Sequence, residues 1–313
     1  MNSALRWLGA IVLLSAAAFF MSDYHNDVYR KLMLWVTLAL GYNFLFGICG
    51  QVSFSHFAFY GIGAYAVVIL LFQAHLPLPL AVLCGVVLCL LFALVVAIPS
   101  TRLEGFYLAL ATLALGQLFI VVLNEGGSVT GGNGGIANYR LPDIFGVHIR
   151  GPWYTAVIAT LLVGTLALLW RLDHSWFGRA CRAVRDNPEA AEAMGVNVAR
   201  VKVIAFTLTA VLAGIAGMVY AFVDNTVNPP IFGIDNAFLL LFMVIVGGAG
   251  RHAGAVIGAT LLFLLPFWLS PLVGHHQALV FGVLVVLAIL LQPAGLVGIY
   301  DRLADRYKGL SAR

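Results

Sequence analysis

Ten apolar stretches, most of them close to 20 residues long and almost free of charge, follow one another along the chain: 5–22, 28–47, 56–73, 77–98, 103–123, 153–171, 201–223, 235–250, 253–271 and 278–296. About 20 apolar residues is the length at which a helix crosses the hydrocarbon of a bilayer. Of the 313 residues, 62% are hydrophobic and 10% charged, against about 25% charged in a soluble domain. The bilayer is therefore the solvent. The expected fold is all-α: one polytopic membrane bundle over 1–313 with about ten membrane helices. The third, eighth and ninth stretches are short or interrupted by glycine, which leaves a range of eight to ten and predicts some discontinuous helices.

Charge sets the expected orientation. Ten crossings place Arg6, Arg102, Arg251, the 171–202 cluster and the C-terminal tail on one side, and that side holds all but four of the 17 Lys and Arg. The other side keeps Arg30, Lys31, Arg140 and Arg150. The positive-inside rule then puts both termini in the cytoplasm. Basic residues scattered at the ends of apolar runs orient a membrane protein, so no nucleic-acid partner is implied. Arg6 and "SAAAFF" also resemble a signal peptide; retention as a membrane helix is the expectation. Cys49, Cys84, Cys89 and Cys181 form no C-x-x-C pair, and no metal site or disulfide framework is indicated.

Small residues recur at helical spacing. Gly250, Gly254 and Gly258 form a ladder, and Ala210, Gly214, Gly217 and Ala221 line one face of their helix. Such stripes let helix backbones approach closely in lipid, and close packing within one subunit is sufficient to explain them. Two places read as broken helices. "GICGQVSFSHFAFYGIGAY" (47–65) sets Gln51, Ser53, Ser55 and His56 between apolar runs, and "GGAGRHAGAVIGA" (247–259) gathers Gly247, Gly248 and Gly250 beside Arg251 and His252. Paired interruptions can mark a substrate pathway between halves of a transporter, so these residues are the candidate pathway. For His56 itself a structural histidine bonded to nearby backbone is the expectation, rather than a proton relay. "TGGNGG" (130–135), in the long loop 124–152, reads as flexible.

Some chemistry is missing from the sequence. No G-x-x-x-x-G-K-[ST] occurs, and none of the three lysines, Lys31, Lys202 and Lys308, follows such a loop. The chain has no P-loop ATPase site of its own. All 13 Asp and Glu fall in loops or at segment ends. Ion-coupled carriers place a carboxylate inside the membrane, which weighs against a stand-alone carrier. It weighs equally against a membrane hydrolase needing a paired acid and base. No cofactor is expected.

One charged island interrupts the apolar sequence. Residues 171–202 hold a third of all charged residues. Within 172–200, Asn187 is a good N-cap, Pro188 suits the first helical position, and Glu189 sits in the positive first turn. Gly195 is a natural stop, so Pro188 to Met194 is a short helix with an apolar Ala/Met face. Arg179, Arg182 and Arg185, three apart, gather along the face of a preceding helix. A small surface helix with an exposed apolar side suits a groove on a partner protein.

The string "EAA", three residues, then Gly195 resembles the EAA loop of bacterial ABC-importer permeases. The flanks "WFGRACRAVRDNPEAAEAMGVNVARVKVIAFTLTAVLAGIAGMVYA", with "GQVSFSHFAFYGIGAYA", "TRLEGFYLALATLALGQ", "TGGNGGI" and "FLLLFMVIVGGAGRHAGAVIGA", resemble the branched-chain amino-acid permease family, its LivM-like subunit in particular. The I-x-L-P ending found in many other importers is absent. The resemblance implies a bacterial inner-membrane subunit that pairs with a LivH-like second permease, two cytoplasmic ATPases that bind the ATP, and a periplasmic amino-acid-binding protein. It also implies alternating access driven by those ATPases. The expected ATPase-coupling residues are Arg182, Arg185, Asn187, Glu189, Ala190, Ala191 and Gly195. The alternative is a stand-alone ion-coupled carrier of small neutral solutes or, within the ABC class, an amide or urea importer.

Overall fold

Helices form where the apolar stretches run, because hydrocarbon leaves backbone groups no partner but each other. The computed structural model describes residues 3–17, 21–103, 105–137, 139, 152–273 and parts of 280–298. In chain order the helices are α1 (Ser3–Ala17), α2 (Asp23–Asn43, continued by a π turn over Phe44–Ile48), α3 (His56–Phe72), α4 (Leu78–Ser100), α5 (Gly105–Glu125) and the single turn α6 (Gly127–Thr130). They continue with α7 (Pro152–Asp173), α8 (Trp176–Asp186), α9 (Pro188–Ala193), α10 (Val198–Asp224), α11 (Ile234–Gly247) and α12 (His252–Val273). Each of the first nine expected stretches has its helix. The tenth, 278–296, lies largely outside the described residues, as do Arg140, Arg150 and the tail 301–313.

Among the described residues, seven helical stretches are long and apolar enough to cross a membrane, and α3, at 17 residues, is shorter. The chain is thus an all-α multi-pass membrane protein. Burial separates its centre from its rim. The spans of α2 and α10 are 78% and 67% buried, whereas α5 is 17% buried. The exposed side chains of α4 and α5, among them Leu83, Phe92, Val95, Phe106, Leu118 and Val122, suit lipid or another membrane subunit.

The small-residue stripes prove to be packing surfaces. A Cβ on Gly63 of α3 would collide with the Gly214 carbonyl of α10, and one on Gly217 with the Tyr60 carbonyl. Backbones this close form an antiparallel contact with no space for a side chain. Gly254 and Gly258 do the same for the α11–α12 hairpin, facing Gly247 and Met243. Gly250 is not part of that ladder: it sits in the connecting turn with φ +86°.

The helices alternate between two ends of the bundle. At the far end β1 (Ile136–Ala137) pairs antiparallel with β2 (Thr226–Val227), and Asp224 at the end of α10 receives Lys31 Nζ at 2.6 Å and the Tyr220 hydroxyl at 2.6 Å. The "TGGNGG" stretch, expected to be flexible, is instead folded into a compact turn here. Thr130 Oγ1 donates to Leu123 O at 2.6 Å, and a Cβ on Gly131 or Gly135 would strike backbone. Gly131 and Gly135 thus meet a steric demand. The opposite end carries the charged island.

Candidate functional site

The island folds as its capping residues dictate. Ser175 caps α8 by accepting from Phe177 N at 3.1 Å, and Asn187 caps α9 by accepting from Ala190 N at 3.0 Å. Pro188 follows at the first helical position. At the other end Gly195 adopts φ +84°, Gly195 N donates to Glu192 O, and Val196 N donates to Ala191 O. That is a complete Schellman stop. Glu189, Ala190, Ala193 and Met194 face outward, Met194 being 85% exposed, while Ala191 is buried against the body of the protein. The expected Ala/Met face is thus presented by Ala190, Ala193 and Met194, and Ala191 holds the helix down.

Two of the three arginines of α8 reach back to the body of the protein, whereas Arg179 stays exposed. Arg182 forms an ion pair with Asp173 at the end of α7 and also donates to the Asp173 carbonyl at 2.9 Å. Arg185 reaches across the chain: its Nη1 donates to Gly47 O at 2.7 Å while its Nε is held by Asp186 at 3.0 Å. Gly47 lies in the π turn that ends α2, where the helical ladder is interrupted and its carbonyls need new donors. The Arg185 methylenes lie so close to Gly50 (φ +75°) that a Cβ there would contact Cγ at 2.5 Å.

The second break meets the first at this point. Asn43 Oδ1 accepts from Gly250 N at 2.8 Å, and Gly47 packs so tightly on Gly250 that no side chain fits between them. Gly248 (φ +116°) and Gly250 make the α11–α12 turn that permits the approach. The two interruptions thus share one junction, and Arg185 ties the island to it.

Cys49, Gly50 and Gln51 still bond back to carbonyls at the end of α2, and from there residues 52–55 descend into the bundle without helical hydrogen bonding. Non-helical backbone at membrane depth has to be enclosed by protein, and Gln51, Ser53 and Ser55 are each under 5% exposed. Gln51 Nε2 donates to Lys202 O at 3.2 Å and contacts Cys49 Sγ at 3.4 Å, so Gln51 pins the segment to the start of α10. Phe54 N donates to Thr112 Oγ1 of α5 at 3.1 Å, and Ser53 Oγ pairs with Ser55 Oγ at 3.0 Å. His56 opens α3, stacked edge-on by Tyr42 at 5.2 Å and Phe206 at 6.3 Å. Phe206 lies eight residues into α10, which puts His56 about 12 Å below the island. Neither ring nitrogen of His56 has a hydrogen-bond partner, so the backbone-bonded histidine expected from the sequence is not what is found. Beside Ser55 a cavity of about 310 Å³ lies between α3, α4 and α5, opening onto the exposed α4–α5 face through Phe92, Leu118 and Val122.

A buried thiol pair also joins the island to the break. Cys181 of α8 and Cys49 at the break are both buried free cysteines that lie within interaction range of each other. Sequence reasoning missed this pair, and it missed Asn43, Thr112 and the α4 and α5 side chains on the cavity. Asn43 was the one with a visible signal, an amide at the end of an apolar run.

The sequence of the chain matches a known family. The family model described as branched-chain amino acid transport system / permease component matches residues 26–291. The chain belongs to this permease family. It is 29% identical to the high-affinity branched-chain amino acid transport system permease protein LivM of Salmonella typhimurium, over 93% of the chain and 74% of the relative. It is 30% identical to LivM of Escherichia coli K12 over 92% and 73%. The LivH permease protein of Escherichia coli K12 is 27% identical over 84% of this chain and 91% of its own. No solved structure matches. The junction, the enclosed 49–55 segment and the island all lie within the matched region of this permease.

Proposed function

We propose that this permease is one membrane subunit of an ATP-driven bacterial importer of branched-chain or related neutral amino acids. The island end, which gathers Arg102, Arg171, Arg179, Arg182, Arg185, Arg200, Lys202 and Arg251, faces the cytoplasm by the positive-inside rule. A cytoplasmic ATPase grips the outward face of α9 (Glu189, Ala190, Met194), whose ends are held by Asn187 and Gly195. ATP is bound by that partner, and a second, LivH-like permease covers the exposed α4–α5 side. A periplasmic binding protein delivers substrate at the far end. The names of the relatives, both LivM and LivH, support this assembly.

One observation carries the mechanism: Arg185 is part of the island yet bonded to the broken-helix junction at 2.7 Å. A push on α9 is passed through α8 to Gly47, Gly50 and Gly250, where two helix interruptions meet and bending is least opposed. Rotation there moves α2–α3 against α11–α12 and opens the bundle alternately to each side.

The test is uptake of radiolabelled leucine into proteoliposomes containing this chain, its companion permease, binding protein and ATPases. Uptake that requires both ATPase subunits and ATP is expected. Equal uptake by the permeases alone, driven by an ion gradient, would make the protein a carrier instead.

A further inference from the structure

α3 is packed differently on its two sides. Toward α10 the backbones touch, with no space for a side chain between Gly63 and Gly214. Toward α5 lies the cavity of about 310 Å³. Its lining follows one face of α3, from the capping Ser55 through Phe59 and Ile62 to Ile69. Those positions span about 21 Å along the helix axis, so the space is long rather than compact.

The cavity has no polar contact left to give. Two lining residues carry hydroxyls, and both are engaged: Ser55 Oγ pairs with Ser53 Oγ at 3.0 Å, and the Tyr65 hydroxyl donates to Val227 O at 3.2 Å. Every other lining side chain is Ala, Val, Ile, Leu or Phe. Apolar cavities of this kind exclude water and take apolar ligands. An ion or a zwitterion here would leave its charges unpaired.

The mouth decides which apolar ligand is at hand. It is framed by Phe92 of α4 and by Leu118 and Val122 of α5, each more than half exposed. Phe92 is the 15th of the 23 residues of α4, and Leu118 the 14th of the 21 of α5. The mouth therefore lies near mid-span, continuous with the membrane-facing surface of both helices. Bilayer hydrocarbon extends about 15 Å to either side of its centre, so what meets the mouth is acyl chain, neither headgroup nor water. We propose that one acyl chain of a membrane phospholipid enters between α4 and α5 and lies along α3 in this cavity. A chain about 15 Å long, one leaflet deep, fits within the groove. The site rests on the membrane spans and not on the importer reading. A companion permease docked on α4–α5 closes over the chain without replacing it.

The experiment is photolabelling of the full-length permease in phosphatidylcholine nanodiscs, alone and with its companion permease, followed by peptide mass spectrometry. The probe is phosphatidylcholine with a diazirine midway along one chain. Labels are expected on Phe59, Ile62 and Tyr65 of the inner wall as well as on Leu83 and Val95, which are 59% and 69% exposed and report bulk lipid. Phe59 and Tyr65 are only 2% and 3% exposed, so bulk lipid does not reach them. Leu115→Trp fills the cavity, and inner-wall labelling is expected to fall at least about fivefold, the scale of overpacking an occupied site, while Leu83 and Val95 label as before. Val96→Phe narrows the α4 wall by a smaller change and is expected to act in the same direction, which covers a misfolded tryptophan variant. Labels confined to exposed residues overturn the proposal, as does inner-wall labelling that survives both substitutions. Inner-wall labels that vanish once the companion permease is present also overturn it, and assign the space to a side chain of that subunit.

Discussion

Replacing Arg185 by methionine removes the guanidinium that joins the island to Gly47 while leaving an aliphatic stem to pack on Gly50. A hydrogen bond from a charged group to a buried carbonyl contributes about 1.5–3 kcal/mol. Arg185 keeps 39% of its side chain exposed, and solvent screening reduces this to about 1–1.5 kcal/mol. That is a factor of about five to twelve in an equilibrium. If the bond transmits the motion of α9, the leucine taken up per ATP hydrolysed falls by that factor, while ATP hydrolysis and assembly of the complex stay near wild type. Arg185→Lys, which retains a point charge but not the planar fork that reaches Asp186 and Gly47 together, falls between the two. The assay is paired measurement of leucine uptake and phosphate release in proteoliposomes. Wild-type stoichiometry in the methionine variant would refute a transmitting role for Arg185.

Three further outcomes are expected. Asn187→Ala removes the acceptor for Ala190 N and Gly195→Ala places a Cβ at φ +84°. Each destabilises α9 by about 1 kcal/mol, so the pair uncouples transport from hydrolysis with no change in the thermal midpoint of the bundle followed by tryptophan fluorescence. Met194→Glu alters a residue that is 85% exposed: its thermal midpoint stays put, but co-purification of the ATPase subunits with the permease falls at least about tenfold, the scale of losing an apolar anchor. Gly63→Val behaves oppositely. Its side chain meets the Gly214 backbone, so it lowers the thermal midpoint of the permease itself by several degrees, consistent with about 1–3 kcal/mol of overpacking.

The parts of this fold that were legible in the sequence rest on local physics. Hydrocarbon selects long apolar helices, so the stretch 153–171 and the helix Pro152–Asp173 differ by two residues at most at either end. The Asn-Pro-Glu start and glycine stop of α9 were equally readable, because caps depend on neighbours in sequence. What stayed hidden depends on distant residues. Arg185 in the island reads as an ordinary inward-side charge, and nothing local announces that its partner is Gly47, 138 residues earlier. Glycine marked both breaks, but glycine alone does not say that they meet; that required Asn43 and Gly250 in one place. His56 was noticed for its polarity, and its lack of partners emerged only once Tyr42 and Phe206 were seen to enclose it. The cavity was invisible because its far walls come from α4 and α5, whose apolar residues look the same whether they face lipid or a ligand.

The central claim is that motion of the island reaches the helix junction through Arg185. Spin labels at Arg102 and Ala253, exposed residues at the island end of the α4–α5 connection and of α12, report directly whether that end opens. The claim predicts a change in the distance between them when ATP binds the assembled transporter, and its disappearance in Arg185→Met although the ATPases still hydrolyse ATP. The same distance change in the methionine variant would contradict it.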